Sequence, residues 1–196
     1  AHVRTVSPRG ATRVTLKEFW EHVQKTRRID PDAHAERLIA RLAKLSVAKI
    51  IAFNQRWNEL HRAAYNWNLW GAAYLINGGC SDDGFDYFRD WLLLQGRAVY
   101  EAALKDPDSL ADVVSADDVS AGEMSAYPGR DAWFHKTGTE RDEDGYAEWE
   151  AAYSAKHPDT PRLPRLGGRW DHDSDRQMKK RLPRLWALYN EDADGE

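Results

Sequence analysis

The stretch Trp67-Asn68-Leu69-Trp70-Gly71-Ala72-Ala73-Tyr74-Leu75-Ile76-Asn77-Gly78-Gly79-Cys80-Ser81-Asp82-Asp83-Gly84-Phe85-Asp86-Tyr87-Phe88-Arg89 decides the fold. Upstream of it Ile50, Phe53, Trp57, Leu60, Ala64, Trp67, Gly71 and Leu75 recur in steps of three and four, the period of one buried helix face. The spacing predicts one long helix from a Ser46 cap, with a kink near Asn66 to Asn68. Gly78-Gly79 ends it, because glycine adopts the left-handed backbone that a helix C-terminus prefers. Ser81 or Asp82 then caps a second helix that runs to about Lys105, before Asp106-Pro107. A double glycine followed at once by capping residues leaves room only for a tight hairpin corner at Gly78 to Ser81.

Toward the N-terminus, Thr15-Leu16-Lys17-Glu18 has the form of a capping box, which predicts a helix with Leu16, Phe19, Trp20 and Val23 on one face and an end near Arg27-Arg28. Asp30-Pro31 starts another helix, with Asp30 as cap, Pro31 in the first turn and Leu38, Ile39, Leu42 and Leu45 as its apolar stripe. Beyond Pro107 the signals weaken. Residues 112–123 are acidic and poor in large apolar groups, so they read as a linker. Short helices are expected at 123–127, 146–155 and 175–189, the last broken or restarted by Pro183. Arg162-Leu163-Pro164-Arg165-Leu166 is echoed by Arg181-Leu182-Pro183-Arg184-Leu185, which suggests two extended, proline-stiffened segments clamping the C-terminal half onto the helices. The expectation is a mainly α, single helical domain with a central helical hairpin and a less regular C-terminal extension. Its divisions are a flexible 1–14, a helical 15–110 and, at 111–196, an acidic linker and extension packed on the helices.

Composition narrows the function classes. With 196 residues, 42% hydrophobic and 11% aromatic, the chain can build a packed interior. Nine Trp against two Met supply rigid anchors that serve cores and binding surfaces alike. A net charge of −4 offers no general attraction to nucleic acid or anionic membrane. Its distribution is uneven: residues 1–60 carry 12 Lys and Arg against 6 Asp and Glu, whereas 111–196 carry 12 against 19. The single cysteine, Cys80, rules out an intrachain disulfide and fits a reducing compartment. No apolar run approaches the roughly 20 residues that span a bilayer, and Ala1 to Gly10 lack a secretory-type apolar stretch. A cytoplasmic location is the expectation.

The chemistry-bearing residues concentrate between Leu60 and Arg97. On a helix starting at Asp82, Asp86 and Arg89 follow at four and seven residues and share a face, beside an apolar face of Phe85, Phe88 and Leu92. Like charges at Asp82 and Asp86 call for a cation, which Arg89, a divalent metal or a cationic ligand could supply. His61, one turn from Tyr65, is a candidate acid, base or ligand, and with Asp82, Asp83 and Asp86 makes the candidate catalytic set. Tyr65, Trp67, Trp70, Tyr74, Tyr87, Arg89 and Trp91 are the candidate ligand-binding residues, and Asp82 with Asp86 the candidate metal pair. Cys80 reads as a small buried corner residue. Asp171-His172-Asp173-Ser174-Asp175 fails as a calcium loop, because Arg176 stands where glycine is needed and Leu182 where glutamate is needed; helix capping by Asp173 or Ser174 accounts for it. No phosphate loop, dinucleotide fingerprint, zinc-ligand spacing or nucleophile elbow occurs.

The string from Trp70 to Arg89, with Trp91-Leu92, the Phe19-Trp20 opening and Asp106-Pro107-Asp108-Ser109-Leu110, resembles the bacterial family catalogued as domain of unknown function 4240. The similarity covers about Phe19 to Leu110, and Arg181 to Leu185 also looks family-like. It resembles members of actinomycete type. The resemblance implies helices and brings no activity, cofactor or catalytic residue with it.

Two functional readings follow from the residues. The first is a binding or regulatory module whose aromatic and Asp/Arg-lined groove takes a small polar ligand, a peptide or a partner protein. The second is a metal-dependent or acid/base enzyme, of hydrolase or tailoring type, using Asp82, Asp83, Asp86 and His61. Nucleic-acid binding through the basic first sixty residues is disfavoured, since carboxylates are interspersed there and no recognised module is present.

Overall fold

Helices begin where capping side chains stand. In the computed structural model, which describes residues 12–28, 30–115, 127–155 and 166–190, the Thr15 hydroxyl accepts the Glu18 amide at 3.2 Å and Glu18 reaches back to the Thr15 amide at 2.8 Å, opening α1 (Leu16–Thr26). Asp30 caps α2 (Pro31–Leu42) through the Ala33 amide at 2.6 Å, and Ser46 caps α3 (Val47–Ala63). Ser81 caps α5 (Asp82–Leu94) by accepting from the Gly84 amide at 3.1 Å. The protein is mainly α, with no strand among the described residues. No described helix is long and apolar enough to cross a membrane.

Two helices each expected as one element are divided, the first at the kink expected near Asn66 to Asn68. The three-and-four periodicity runs unbroken from Ile50 to Leu75, yet Asn66 leaves helical geometry at φ −145°, ψ 156° and its side chain accepts the Leu69 amide at 2.9 Å, starting α4 (Trp67–Ile76) afresh. A short amide side chain that satisfies a first-turn N–H competes with helix continuation, and hydrophobic spacing carries no trace of that competition. The helix expected from Asp82 to Lys105 likewise divides at Gly96, whose φ of +93° and ψ of 173° suit glycine alone. It resumes as α6 (Arg97–Lys105). The corner between α4 and α5 is as tight as expected: Gly78 and Gly79 both take positive φ, and the Gly79 amide returns to the Tyr74 carbonyl at 2.8 Å.

A 3-10 turn, Pro107–Asp112, leads out of α6. Past the expected boundary near Leu110, α7 (Pro128–Thr137) packs against both α2 and α3. The contact with α3 is close, because a Cβ on Gly129 would lie 2.5 Å from the Asn54 Cβ. Proline at the start and left-handed Gly138 just past the end are the signals that mark α7 in the sequence. The chain continues with α8 (Glu143–Ser154), α9 (Asp175–Arg181) and α10 (Pro183–Asn190). Pro183 therefore restarts a helix, and the motif from Arg181 to Leu185 is a helix junction where an extended segment was expected. Residues 123–126 of the helix expected at 123–127, most of the acidic linker, the first eleven residues and Arg162 to Arg165 lie outside the described residues; Tyr127 is the N-cap of α7.

The core is one contiguous cluster. Phe19 stacks on Phe53 with centroids 4.7 Å apart, and Leu38, Leu42, Ile50, Phe85, Phe88 and Leu92 are fully buried around them. Each such side chain contributes about 1.5–3 kcal/mol. Leu16 departs from its expected face: it is 44% exposed, standing at the helix start outside the turn that Phe19, Trp20 and Val23 bury.

Candidate functional site

Two side chains of later helices take carbonyl groups in the last turn of α3, where helical N–H donors run out; the Leu60 carbonyl also accepts the Ala64 amide at 3.1 Å. The Tyr100 hydroxyl donates to the Leu60 carbonyl at 2.7 Å, and Arg89 donates from Nη1 to the His61 carbonyl at 3.1 Å. Arg89 is 2% exposed. Its Nε donates to the Phe85 carbonyl at 3.2 Å, Nη1 also meets His61 Nδ1 at 3.2 Å, and Nη2 pairs with Asp86. Four of its five donors are thereby spent within the protein. Its carbon head lies 4.8 Å from the Tyr65 ring centroid and 4.9 Å from that of Phe85. Burial pulls its pKa down to about 10, with Asp90 opposing the shift, so it stays charged at neutral pH.

His61 is fixed from the other side. Its Nε2 lies 3.1 Å from the Asp86 carbonyl and 3.5 Å from the Asp90 carboxylate, which also accepts from the Trp57 indole at 3.0 Å. Since Nδ1 must accept from Arg89, the proton sits on Nε2. Burial, then the charges of Arg89 and Arg62, push its pKa down to about 3. Both nitrogens are engaged and the ring is neutral, so His61 holds Arg89 in place.

These groups form the floor of a cleft of about 340 Å³ walled by Tyr65 and Trp70 and rimmed by Asn58, Arg62, Asp82, Asp83 and Asp86. Asp82, Asp83 and Asp86 are exposed. Asp86 pairs with Arg89 through one carboxylate oxygen. Among the described residues no group of three or more His, Cys, Asp or Glu is arranged to hold a metal. No ion pair or hydrogen bond among the described residues engages the Asp82 or Asp83 carboxylates, and Arg62 has no ion-pair partner there.

Trp70 divides the expected aromatic groove in two. Its indole stacks on Phe85 at 4.8 Å, donates to the Cys80 carbonyl at 3.0 Å, and forms a wall of the cleft above and of a second one of about 650 Å³. Trp67, Tyr74 and half-buried Cys80 line the second cleft with the chain from Arg169 to Asp173 and Gln177. His172 stacks on Trp67 at 4.7 Å, and the Tyr74 hydroxyl donates to Asp173. The Asp171 to Asp175 string ends in a helix start, with Ser174 at the N-cap position of α9, but its side chain makes no capping hydrogen bond. Two expected groove residues sit elsewhere. Trp91 is 4% exposed and packs on Phe88 at 5.4 Å in the core, because the face of α5 that carries Phe88 also carries Trp91 inward. Half-buried Tyr87 lines neither cleft.

The second cleft depends on the C-terminal chain, which spacing along the helices could not reveal. The Trp67 amide donates to the Leu166 carbonyl at 2.7 Å, its indole to the Trp170 carbonyl at 2.6 Å, and the Trp170 indole to Asn68 at 3.0 Å. Trp170 seats in a notch made by Gly71, where a Cβ would lie 2.4 Å from its ring. Buried Asp108 accepts the first free amides of α10, from Arg184 at 3.1 Å and Leu185 at 2.9 Å.

Compared with protein families, residues 14–134 match the model described as "Protein of unknown function (DUF4240)". The chain belongs to this family. Neither the curated proteins nor the solved structures contain a match. The matched span holds the whole first cleft, whereas Arg169 to Gln177 of the second lie beyond it.

Proposed function

We propose that this family member is a binding module that captures a small polar ligand by a cationic group in the cleft between the end of α3 and the start of α5. The observation that carries the reading is the pair of exposed carboxylates, Asp82 and Asp83, which no ion pair or hydrogen bond among the described residues engages, beside a floor held by Arg89 and His61. A fixed floor with unspent acceptors and aromatic walls suits recognition. Catalysis has less to draw on, since the histidine in the cleft is neutral with both nitrogens engaged.

Calorimetric titration of the full chain with n-butylamine, acetate and inorganic phosphate tests the reading. Butylamine should bind and the two anions should not. The Asp82→Asn, Asp83→Asn double variant should weaken butylamine by about 1–2 kcal/mol, the scale of two exposed charge contacts. Butylamine binding that ignores both substitutions, or no binding at all, overturns it.

A further inference from the structure

Arg89 spends four of its five donors within the protein, whereas Arg130, the third residue of α7, spends none. The Arg130 side chain is only 26% exposed, yet no hydrogen bond among the described residues engages its guanidinium, and Nε is fully buried without a partner. A guanidinium this deep ordinarily has its donors satisfied. Its ion-pair partner, Asp131 Oδ1, stands 3.6 Å from Nε, beyond hydrogen-bond reach, and is shared with Arg141 Nη1 at 3.5 Å. What packs on Arg130 is aromatic: its Cζ lies 3.9 Å from the Tyr127 ring centroid and 5.4 Å from that of Tyr146. Ring faces attract the cation but offer no oxygen to its N–H groups. Nη1 and Nη2, equally without a protein acceptor among the described residues, are the donors that still reach solvent. The missing acceptors therefore have one way in, at that edge.

We propose that Arg130, framed by Tyr127 and Tyr146, anchors a second binding site, one for a small aromatic carboxylate. A carboxylate meets the planar fork of a guanidinium with two parallel hydrogen bonds and supplies the acceptors that Arg130 lacks. Charge selects a monoanion. Arg130 and Arg141 against Asp131 leave one positive charge, whereas a phosphate dianion would bring a further negative charge close to Asp131. The tyrosines select the arene. Tyr127 is 46% exposed and Tyr146 40%, so a ring attached to the carboxylate covers aromatic surface that water now touches. Buried Phe134 packs edge-on against Tyr146 at 5.2 Å, which ties one side of the frame to the core. None of these residues lines the cleft of Asp82 and Asp83, so carboxylate binding here and amine binding there are independent. Tyr127, Arg130 and Asp131 fall within the family-matched span, while Arg141 and Tyr146 lie beyond it.

Ligand-observed NMR titration of the full chain with benzoate, acetate and phenyl phosphate tests the site. Benzoate should bind roughly tenfold or more tightly than acetate, the gain from covering one face of a phenyl ring. Arg130→Lys keeps the charge but loses the fork, so it should weaken benzoate by roughly fivefold or more. Asp131→Asn removes the competing carboxylate and should tighten benzoate by about twofold to threefold, a gain that a merely structural Arg130 would not produce. Because Arg130 makes no hydrogen bond among the described residues, Arg130→Lys should unfold near the wild-type temperature, which circular dichroism checks. Tyr146→Leu, which leaves Arg130 in place, should likewise bring benzoate down toward acetate and serves if the lysine variant does not fold. Benzoate no tighter than acetate, or an affinity unchanged in either variant, overturns the proposal. A loss in Arg62→Gln instead would move the anion to the first cleft and overturn it too. Tighter binding of phenyl phosphate than of benzoate overturns the choice of anion. Failure here leaves the amine cleft standing, since its test reads butylamine and the carboxylates of α5.

Discussion

Arg89 directs its guanidinium inward, and the cost of removing it follows from what it leaves behind. Its ion-pair partner Asp86 is exposed, so the pair itself contributes little. The larger losses are the His61 carbonyl and Nδ1, both deprived of a donor, and the space beside Tyr65 and Phe85. Arg89→Ala should therefore destabilise by about 3 kcal/mol, while Arg89→Lys, which keeps charge and stem but cannot reach four acceptors at once, should cost less. Thermal unfolding of both variants checks the order. An unchanged Arg89→Ala would mean the guanidinium is not holding the end of α3. His61 adds a pH signature. The unfolded chain takes up a proton near pH 6.5, while the folded one resists until about 3. Stability from this residue is complete above pH 6.5 and is lost as pH falls toward 3, by an amount on the order of 4 kcal/mol. Urea unfolding of wild type and His61→Gln at pH 7 and pH 4.5 should show the gap between them narrowing or reversing in acid. The pairing of Arg89 with Asp86 was legible from their spacing on one helix face. The role of His61 was not, because its partners come from a helix 25 and 28 residues away.

At the scale of elements, caps were readable and interruptions only in part. Thr15, Asp30, Ser46 and Ser81 each announce a helix because a side-chain oxygen beside an apolar period has one efficient use. Asn66 has the same chemistry, but it stands inside a hydrophobic period that continues across it, so the spacing shows a kink there and hides the fresh helix start. Gly96 is hidden for a related reason: composition shows a glycine, and only the backbone shows its positive φ. The groove suffered likewise. Aromatic spacing placed Trp67, Trp70 and Tyr74 on one surface, but it could not show that Trp70 would become a partition. Gly71 offers a test of how elements meet. Gly71→Ala puts a methyl into the Trp170 ring, and since both backbones are tied by the Trp67 bonds, relief must come from withdrawing the indole. The expected cost is about 1–3 kcal/mol, the range for overpacking. Near-ultraviolet circular dichroism should change with it; an unaltered spectrum and midpoint would show that the notch yields freely.

For the molecule as a whole, the described structure is a family-matched helical body with a C-terminal strap attached at two ends, Trp170 in its notch and α10 on Asp108. Met178, Leu182 and Leu185 are buried between these points. Asp108 bonds the free amides that open α10, a charge-assisted contact that also favours the positive end of the helix. Asp108→Ala should loosen the strap before the body. Hydrogen exchange should then show early loss of amide protection over 183–190, with α1, α3 and α7 still protected. Uniform loss over the whole chain would mean that body and strap unfold as one unit.

The bond from the Trp67 amide to Leu166, and that from its indole to Trp170 across 103 residues, also set an order of events in time. Helix α4 begins with an amide whose acceptor is made late in synthesis, about 5–20 s after Trp67 itself at ordinary elongation rates. During that interval α1, α2 and α3 already have their capping oxygens close by in sequence, while the start of α4 waits for a carbonyl that does not yet exist. The wall between the two clefts is therefore among the last parts of the protein to become native, and a ribosome stalled before Leu166 would carry a nascent chain with its helical body formed and its Trp67 amide still bonded to water.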